Sequence, residues 1–586
     1  MCGIFGYIGH KNNASDIVLE GLKILEYRGY DSWGITVKQG KKLLVEKHVG
    51  KIGNAKTILP KSNMGIGHTR WATHGGVTVA NSHPHLDCKK EIAVVHNGIV
   101  ENFEELKKVL IKQGHRFISE TDTEVIPHLI EEHMKQGFGF STSVRKTFNQ
   151  LRGLNAIVVS FAPSTQIVSV KSGSPLVVIS KNELYLASDI SSFIEKTRKV
   201  LFLKDNEMVI LGDSIELISA KDGKRLEAIP ETVEWKFELA NMGKFPHFMI
   251  KEIHEQPVII RNIAKNYGDE IEGLTKILKK AKGTFFIGAG TAYHAGLTGV
   301  YLFSKIADMH VNSAVASEFN YLEHFLTKES LVIALSQSGE TIDVVEPLSR
   351  AREKGSKIVA ITNALGSSIY RMADYKILLG AGPEKAVAST KAYIAKLSVL
   401  FVLIFGIAGR SNDARKLLLS AADEVDRILE NKNLQSLKKM AEMLSRSSNI
   451  YVIGRGASFP SALEAALKIK EVSYIPTEGL AGGELKHGTI ALISKGTPVI
   501  VFAPNDETRE SIISNAIEIK SRGGLIIGIA PENLPVFDYF IEIKDIKEAS
   551  YIAQIAAIQL LSYFMAVCLK LDPDKPRNLA KSVTVK

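Results

Sequence analysis

The sequence predicts an α+β domain at the N-terminus followed by two doubly wound α/β domains. Three observations carry this expectation. Short strand-like runs with interspersed helical patterns fill roughly the first 220 residues. From about Gly283 buried-type strands alternate with helices. The same order then recurs after Ser448, with Gly288 matching Gly454 and Lys357 matching Gly524 at an offset of about 166 residues.

The first domain is expected over residues 2–221. Its strand-like runs include IAVVHNGIV, NAIVVSFA, SPLVVIS, ELYLAS and EMVIL. In ENFEELKKVLIKQG, Phe103, Leu106, Val109 and Leu110 share one helical face. Such a mixture suits mainly antiparallel sheets. From Asp222 the pattern becomes irregular, with Pro230 and Pro246, and residues 222–270 are expected as an interdomain linker. The first α/β domain, 271–412, runs TFFIGAG, LVIALSQSG, KIVAITN, YKILLG and the apolar helix AYIAKLSVLFVLIF. The second, 436–571, runs NIYVIGRG, PVIVFAPN, LIIGIA, YFIEIK and AQIAAIQLLSYFMAV. Residues 572–586 form an irregular, proline-containing tail.

A chain of 586 residues needs several cores, and 45% hydrophobic with 23% charged residues is ordinary globular composition. The net charge of +10 is spread along the chain. No basic run with interleaved aromatics argues for nucleic acid, while a mild positive field suits anionic small substrates. Cys2, Cys88 and Cys568 are few, odd in number and far apart, which argues against disulfides or a structural zinc site and for the cytoplasm. The N-terminus lacks a signal-peptide pattern. The run Leu397–Ala408 is too short to span a bilayer, which takes about 20 residues, so a buried helix and no membrane are expected.

Cys2 is either a small apolar residue entering a strand or, with Met1 trimmed, a nucleophile. In the second case its thiol sits beside its own α-amine, whose pKa near 8 suits a base. Gly3 would allow close backbone approach. An amide hydrolase acting on an amino acid also needs oxyanion donors, a cation for the α-carboxylate and an anion for the ammonium. GHTRWATHG supplies Arg70 and Trp71, VVHNGIVEN supplies Asn97 and Gly98, and SETDTEV supplies Asp122. Bland readings stay open beside these. Asn97-Gly98 fits a turn, Thr121-x-x-Glu124 fits a capping box, and Arg70 could pair with a structural carboxylate.

In the first α/β domain, Ser336–Thr341 (SQSGET) follows a buried strand and precedes a helix. Hydroxyls and free N–H groups at a helix start suit a phosphate, although an ordinary cap reads the same way. Neither a Walker loop nor a dinucleotide fingerprint is present, since Tyr293 takes the third-glycine position. Lys468 and Glu471 lie three apart on one helical face. They are a surface ion pair, or a carboxylate and cation that move a proton between two sugar carbons. His487 is a structural histidine or an acid/base.

MCGIFGYIGH, LEYRGYDSWGI, GHTRWATHG, NSHPH, VVHNGIVEN and SETDTEV together resemble the glutamine amidotransferases with an N-terminal nucleophile. The resemblance implies that Cys2 attacks the glutamine amide, that Arg70 and Asp122 hold glutamine, and that Asn97 and Gly98 form the oxyanion hole. It places Trp71 near the gate between ammonia source and ammonia user. His83, His85 and Cys88 look superficially like a metal cluster, but the family carries a similar N-x-H-P-H stretch without a catalytic metal, so no metal and no cofactor are expected.

SQSGET, VASTKAY, LKIKEVSYI, GELKHG and PRNLAKSVTV resemble two sugar-isomerase (SIS) domains. The whole chain is thus similar to the isomerising aminotransferases that use glutamine and fructose 6-phosphate. The implied fold is an N-terminal-nucleophile amidotransferase domain followed by two SIS domains. The implied products are glucosamine 6-phosphate and glutamate. Ser336, Gln337, Ser338, Thr341 and Thr291 would cradle the phosphate, and Val387 and Ser389 would line the sugar pocket. Lys581 would form a Schiff base, Glu471 would be the isomerising base and Lys468 its helper. His487 would open the ring, reaching a neighbouring subunit of a homodimer, and ammonia would pass through an internal channel. The chain departs from relatives at Ala289-Gly290-Thr291-Ala292, where C-G-T-S is usual, and at Thr489, where proline is usual. Two other readings keep the glutaminase with another sugar-phosphate acceptor, or retain only sugar-phosphate binding as a regulator.

Overall fold

The computed structural model describes residues 2–193, 197–232 and 242–583. Met1, whose removal the nucleophile reading requires, lies outside them, as do part of the expected linker and the last three residues of the tail. The chain divides into two compact units. One is Met1–Phe237 with Glu340–Ile342 and Ala580–Lys586; the other is Glu238–Gly339 with Asp343–Leu579.

The first unit is built on an eight-stranded and a seven-stranded sheet. Gly3–Ile8 lies in the middle of the larger sheet, antiparallel to Glu183–Ala187 on one side and Met64–Arg70 on the other. In the smaller sheet Ile92–Gly98 pairs antiparallel with Asn155–Phe161. The alternation of side chains along Ile92–Gly98 explains the layers. Ala93 and Val95 join Ile4, Ile66 and Val178 in the core between the sheets. Ile92 and Val94 point the other way, onto Ile126, Ile130 and Val144 of the helices Val125–Lys135 and Phe140–Phe148. The helix Ala14–Leu25 buries Val18, Leu19, Leu22 and Leu25 at helical spacing, a single apolar face. The expected α+β domain with mainly antiparallel sheets is what forms.

The second unit contains two five-stranded parallel sheets. In the first, the strands run Asn312–Val315, Gly283–Gly288, Ser330–Ser336, Lys357–Thr362, Tyr375–Leu378 across the sheet. In the second they run Thr477–Ala481, Ile450–Gly454, Pro498–Phe502, Leu525–Ala530, Tyr539–Glu542. Both read 2-1-3-4-5 in chain order, so the repeat seen in sequence is a repeat of topology. The matched glycines have one job in both copies. A Cβ on Gly288 would lie 2.8 Å from the backbone of Ala292, and one on Gly454 2.1 Å from the carbonyl oxygen of Ser458. The following helix therefore starts hard against the strand end.

The apolar helices Lys391–Ile407 and Ser550–Cys568 are buried along nearly their whole length, as parallel-sheet domains require of a central helix. Among the described residues, one helix, Lys547–Cys568, is long and apolar enough to cross a membrane by length and composition, and 83% of its most apolar window is buried inside the protein.

Residues 222–270 differ from the irregular linker the sequence suggested. Arg225–Leu226 and Glu231–Thr232 add short strands to the two sheets of the first unit. Phe248–His254 and Gln256–Asn266 are helices whose Met249, Ile253, Ile260 and Ile263 enter the core of the second unit. Asp574 fixes the start of the first helix by accepting the backbone N–H of Phe248 and of Met249, each at 2.8 Å. The exposed charges of these helices hid their apolar stripe.

Candidate active site

Cys2 enters the central strand of the larger sheet. Its Sγ accepts the backbone N–H of Trp71 at 3.3 Å, from the residue just past the end of the neighbouring strand Met64–Arg70. Burial raises the pKa of the thiol, while the Trp71 backbone contact and Arg70 act in the opposite direction. Gly3 permits this approach: a Cβ there would lie 2.6 Å from Thr69 Oγ1, which instead accepts the Gly3 N–H at 3.0 Å.

Asn97 Nδ2 donates to the carbonyl oxygen of Cys2 at 3.1 Å, so the amide NH2 already faces the nucleophile residue. His68 sets that orientation. Its Nε2 contacts Asn97 Oδ1 at 3.2 Å and the carbonyl oxygen of His96 at 3.0 Å. Both partners are acceptors, so Nε2 carries the hydrogen. Burial drives His68 down to about 3, which keeps it neutral. His68 stacks on His83 with ring centroids 4.0 Å apart, and burial holds His83 low as well.

Asn97 and Gly98 end a regular strand, opposite Ala156 and Asn155, so the turn reading does not hold. Gly98 has φ 140°, a conformation that favours glycine. The capping box is not made either: Thr121 makes no side-chain cap, and Glu124 accepts the N–H groups of Ile118 and Ser119 at 2.8 and 2.6 Å. Asp122 is buried and accepts the Val100 N–H at 2.7 Å. Arg70, also buried, donates to the carbonyls of His74, Gly75 and Gly76. Burial lowers the pKa of its guanidinium, against the pull of Cys2, Asp31 and Asp122. Cys2, Arg70, Trp71, Asn97, Gly98 and Asp122 thus come from four separate stretches of sequence to one region of the first unit.

In the second unit the stretches that follow Gly288 and Ser336 lie at the switch point of the first parallel sheet. Strand order reverses between Gly283–Gly288 and Ser330–Ser336, and ligands of such sheets bind beyond those strand ends. Ser336 Oγ accepts the Gly339 N–H at 2.9 Å, the Gln337 carbonyl accepts the Asn363 N–H at 3.2 Å, and Ser338 follows, half-buried. Thr291 opens the helix Thr291–Ala307 and donates its hydroxyl to Glu464 Oε1 at 3.1 Å.

Glu464 was not anticipated, although Glu464, Lys468 and Glu471 have helical spacing on one face. Lys468 Nζ lies 2.5 Å from Glu471 Oε2 and 3.6 Å from Glu464 Oε1, and His294 Nδ1 lies 2.8 Å from Glu464 Oε2. Lys468 is fully buried, which excludes the surface ion pair; burial opposes its charge, but Glu471 and Glu464 prevail and raise its pKa. Ser389 donates to Glu384 at 3.1 Å, and Glu384 also accepts the N–H groups of Thr390 and Ala392 at 2.9 and 3.0 Å. The Val387 N–H donates to the carbonyl of Asp574 at 2.9 Å, tying the tail to this segment. Arg577 anchors the tail again: its N–H donates to Tyr474 Oη at 2.7 Å, at the end of the helix that carries Lys468 and Glu471. His487 is exposed on the short helix Glu484–His487 and makes no hydrogen bond to Lys468 or Glu471. Thr341 and Lys581 fall in the segments Glu340–Ile342 and Ala580–Lys586, which group with the first unit.

Comparison with known proteins agrees with both halves. Residues 68–195 match the glutamine amidotransferase domain family, and residues 277–405 and 443–561 match the SIS domain family. The glutamine–fructose-6-phosphate aminotransferase (isomerizing) of Thermococcus kodakarensis is 42% identical over 609 residues, with both chains covered in full. The chain belongs to the isomerising glutamine–fructose-6-phosphate aminotransferase family. The relative of the same name from Pyrococcus horikoshii is likewise 42% identical, over 601 residues and all of both chains. The solved C-terminal domain of glucosamine-fructose-6-phosphate aminotransferase from Francisella tularensis covers 57% of this chain and 100% of its own, at 31% identity and a TM-score of 0.54. An N-terminal amidotransferase domain followed by two SIS domains, as in this aminotransferase family, is the fold class the sequence predicted.

Proposed function

We infer that the protein transfers the amide nitrogen of glutamine to fructose 6-phosphate and isomerises the product, giving glucosamine 6-phosphate and glutamate. The observation that carries this is identity of 42% to aminotransferases of that name across the whole chain. The arrangement around Cys2 supports the first half-reaction. With Met1 removed, the α-amine of Cys2 takes the thiol proton and Sγ attacks the glutamine Cδ. Asn97 Nδ2 and the Gly98 N–H stabilise the resulting oxyanion. Arg70 takes the α-carboxylate and Asp122 the α-ammonium, Trp71 lies beside the exit for ammonia, and water then releases glutamate.

In the second half-reaction Ser336, Gln337, Ser338, Thr341 and Thr291 hold the phosphate, and Val387 and Ser389 line the sugar pocket. Lys581 condenses with the ketone and ammonia replaces it, so the water lost in imine formation balances that used at the thioester. Glu471 moves a proton between C1 and C2 while buried Lys468 steadies the developing charge. The exposure of His487 fits a ring-opening group that serves the neighbouring subunit of a homodimer.

A second reading keeps the glutaminase but changes the acceptor. Thr291 is the observation that favours it, because its hydroxyl is turned to Glu464 and Ala292 offers none. Purified protein given glutamine and fructose 6-phosphate separates the two. Glucosamine 6-phosphate is the expected product; glutamate without amino sugar would favour another acceptor, and neither product would favour a sugar-phosphate-binding regulator.

A further inference from the structure

Cys88 does not gather His83 and His85 as its partners. His83 accepts the His96 N–H at 3.2 Å through Nδ1, and His85 Nε2 lies 3.1 Å from Thr121 Oγ1. Cys88 faces a different pair. Its Sγ lies 3.5 Å from His115 Nδ1 and 3.5 Å from His128 Nδ1, and the two Nδ1 atoms are 3.1 Å apart. Glu131 Oε2 completes the group, 3.3 Å from His115 Nδ1 and 3.8 Å from His128 Nδ1. All four donor atoms lie within 4.8 Å of one another.

We propose that Cys88, His115, His128 and Glu131 form a structural zinc site in the amidotransferase domain. Zinc at a tetrahedral centre, with bonds of about 2.3 Å to sulfur and about 2.0 Å to nitrogen or oxygen, separates its ligands by about 3.3–3.6 Å. The spacings above bracket that range. One thiolate, two imidazoles and one carboxylate are a borderline-soft set that suits zinc over calcium or magnesium. The site is closed by four protein ligands, which fits a structural rather than a catalytic metal.

The surroundings are those of a metal site. His115 Nε2 contacts Glu132 Oε1 at 2.7 Å, which puts the ring hydrogen on Nε2 and leaves Nδ1 as a bare donor facing Cys88 and His128. His128 Nε2 is 3.8 Å from Glu124 Oε1. Glu131 is steadied by the Cys88 N–H at 3.3 Å and by Lys135 Nζ at 3.3 Å. Both imidazoles are buried while Cys88 is exposed, which gives an ion a way in. The metal would join a loop after the strand His85–Leu86 to both ends of the 115–128 stretch, which carries Asp122.

The test is metal content and cobalt spectroscopy on untagged full-length protein. After dialysis against metal-free buffer and loading with zinc, the wild type should retain about one zinc per chain. Cys88→Ser and His128→Ala should fall to background, while Cys568→Ser keeps its zinc. Cobalt should give visible bands of tetrahedral intensity and a near-ultraviolet thiolate band that Cys88→Ser abolishes. Glu132→Gln, which alters no ligand but loosens the partner of His115 Nε2 and of Lys135, should bind zinc about 10–100-fold more weakly. Added zinc should raise the urea midpoint of the wild type and leave that of Cys88→Ser unchanged. Should His128→Ala fail to fold, the wild-type cobalt spectrum still decides. Octahedral cobalt bands without the thiolate transition, or zinc content unchanged in Cys88→Ser, would overturn the site.

Discussion

The amidotransferase unit should lose stability in mild acid because it buries neutral imidazoles. His68 is fully buried and burial pulls its pKa down to about 3. In the unfolded chain an imidazole titrates near 6.5, so between about pH 6.5 and pH 3 the unfolded state binds the extra proton. Stability therefore falls as pH falls through that window. Integrating from pH 7 to pH 5 gives a loss of about 2 kcal/mol for His68 alone. Burial depresses His83, His85 and His96 in the same direction, and each adds to the loss. The assay is urea unfolding followed by tryptophan fluorescence. Trp33 and Trp71 belong to the first unit, and the sequence from residue 238 onward holds no tryptophan, so the signal reports the first unit rather than the second. His68→Gln keeps an N–H donor for Asn97 without the titration, and should reduce the pH 7 to pH 5 loss by about 2 kcal/mol. A wild-type midpoint that does not move between those pH values, or a variant with the full wild-type slope, would refute the reasoning.

Three further outcomes follow from the two sites. Asn97→Ala removes a donor aimed at the oxyanion and should lower kcat for glutamine hydrolysis about 10²–10³-fold in a steady-state glutaminase assay, with unchanged kcat contradicting its role. Lys468→Met leaves Glu464 and Glu471 without their buried cation. It should destabilise the second unit by about 3–5 kcal/mol, read as a far-ultraviolet dichroism transition that moves while the tryptophan transition stays. Lys581→Ala should block amino-sugar synthesis and spare glutamine hydrolysis; equal loss of both would contradict the division of labour.

The architecture was legible because its signals are periodic and local. The parallel strands are continuous apolar runs, and Gly288 and Gly454 are forced by helix starts that touch them. The glutaminase residues were legible as motifs, since Cys2 precedes a strand, Arg70, Asn97 and Gly98 end strands, and Asp122 opens a short helix. What sequence could not give was the orientation of those residues. His68 fixes the Asn97 amide across the two sheets, and nothing local ties residue 68 to residue 97. Glu464 was within reach, because its spacing to Lys468 and Glu471 is helical. The helices at 248–266 were hidden by the charges and prolines around them, though Met249, Ile253, Ile260 and Ile263 are spaced as a buried face. The Cys88 cluster is the hardest case. Its ligands come from a loop, a second loop and a helix, and only His128 and Glu131 share a local pattern. His83 and His85, whose likeness to a metal cluster with Cys88 is only superficial in sequence, are held by His96 and Thr121 instead.

The central claim is that one chain moves nitrogen from glutamine to a sugar phosphate. Glutamine labelled with ¹⁵N at the side-chain amide, given with fructose 6-phosphate and excess unlabelled ammonium, tests it most directly. The account predicts that glucosamine 6-phosphate carries the label and that Cys2→Ala makes none of the labelled product. Labelled ammonia released into solution, with no label in the amino sugar, would contradict it.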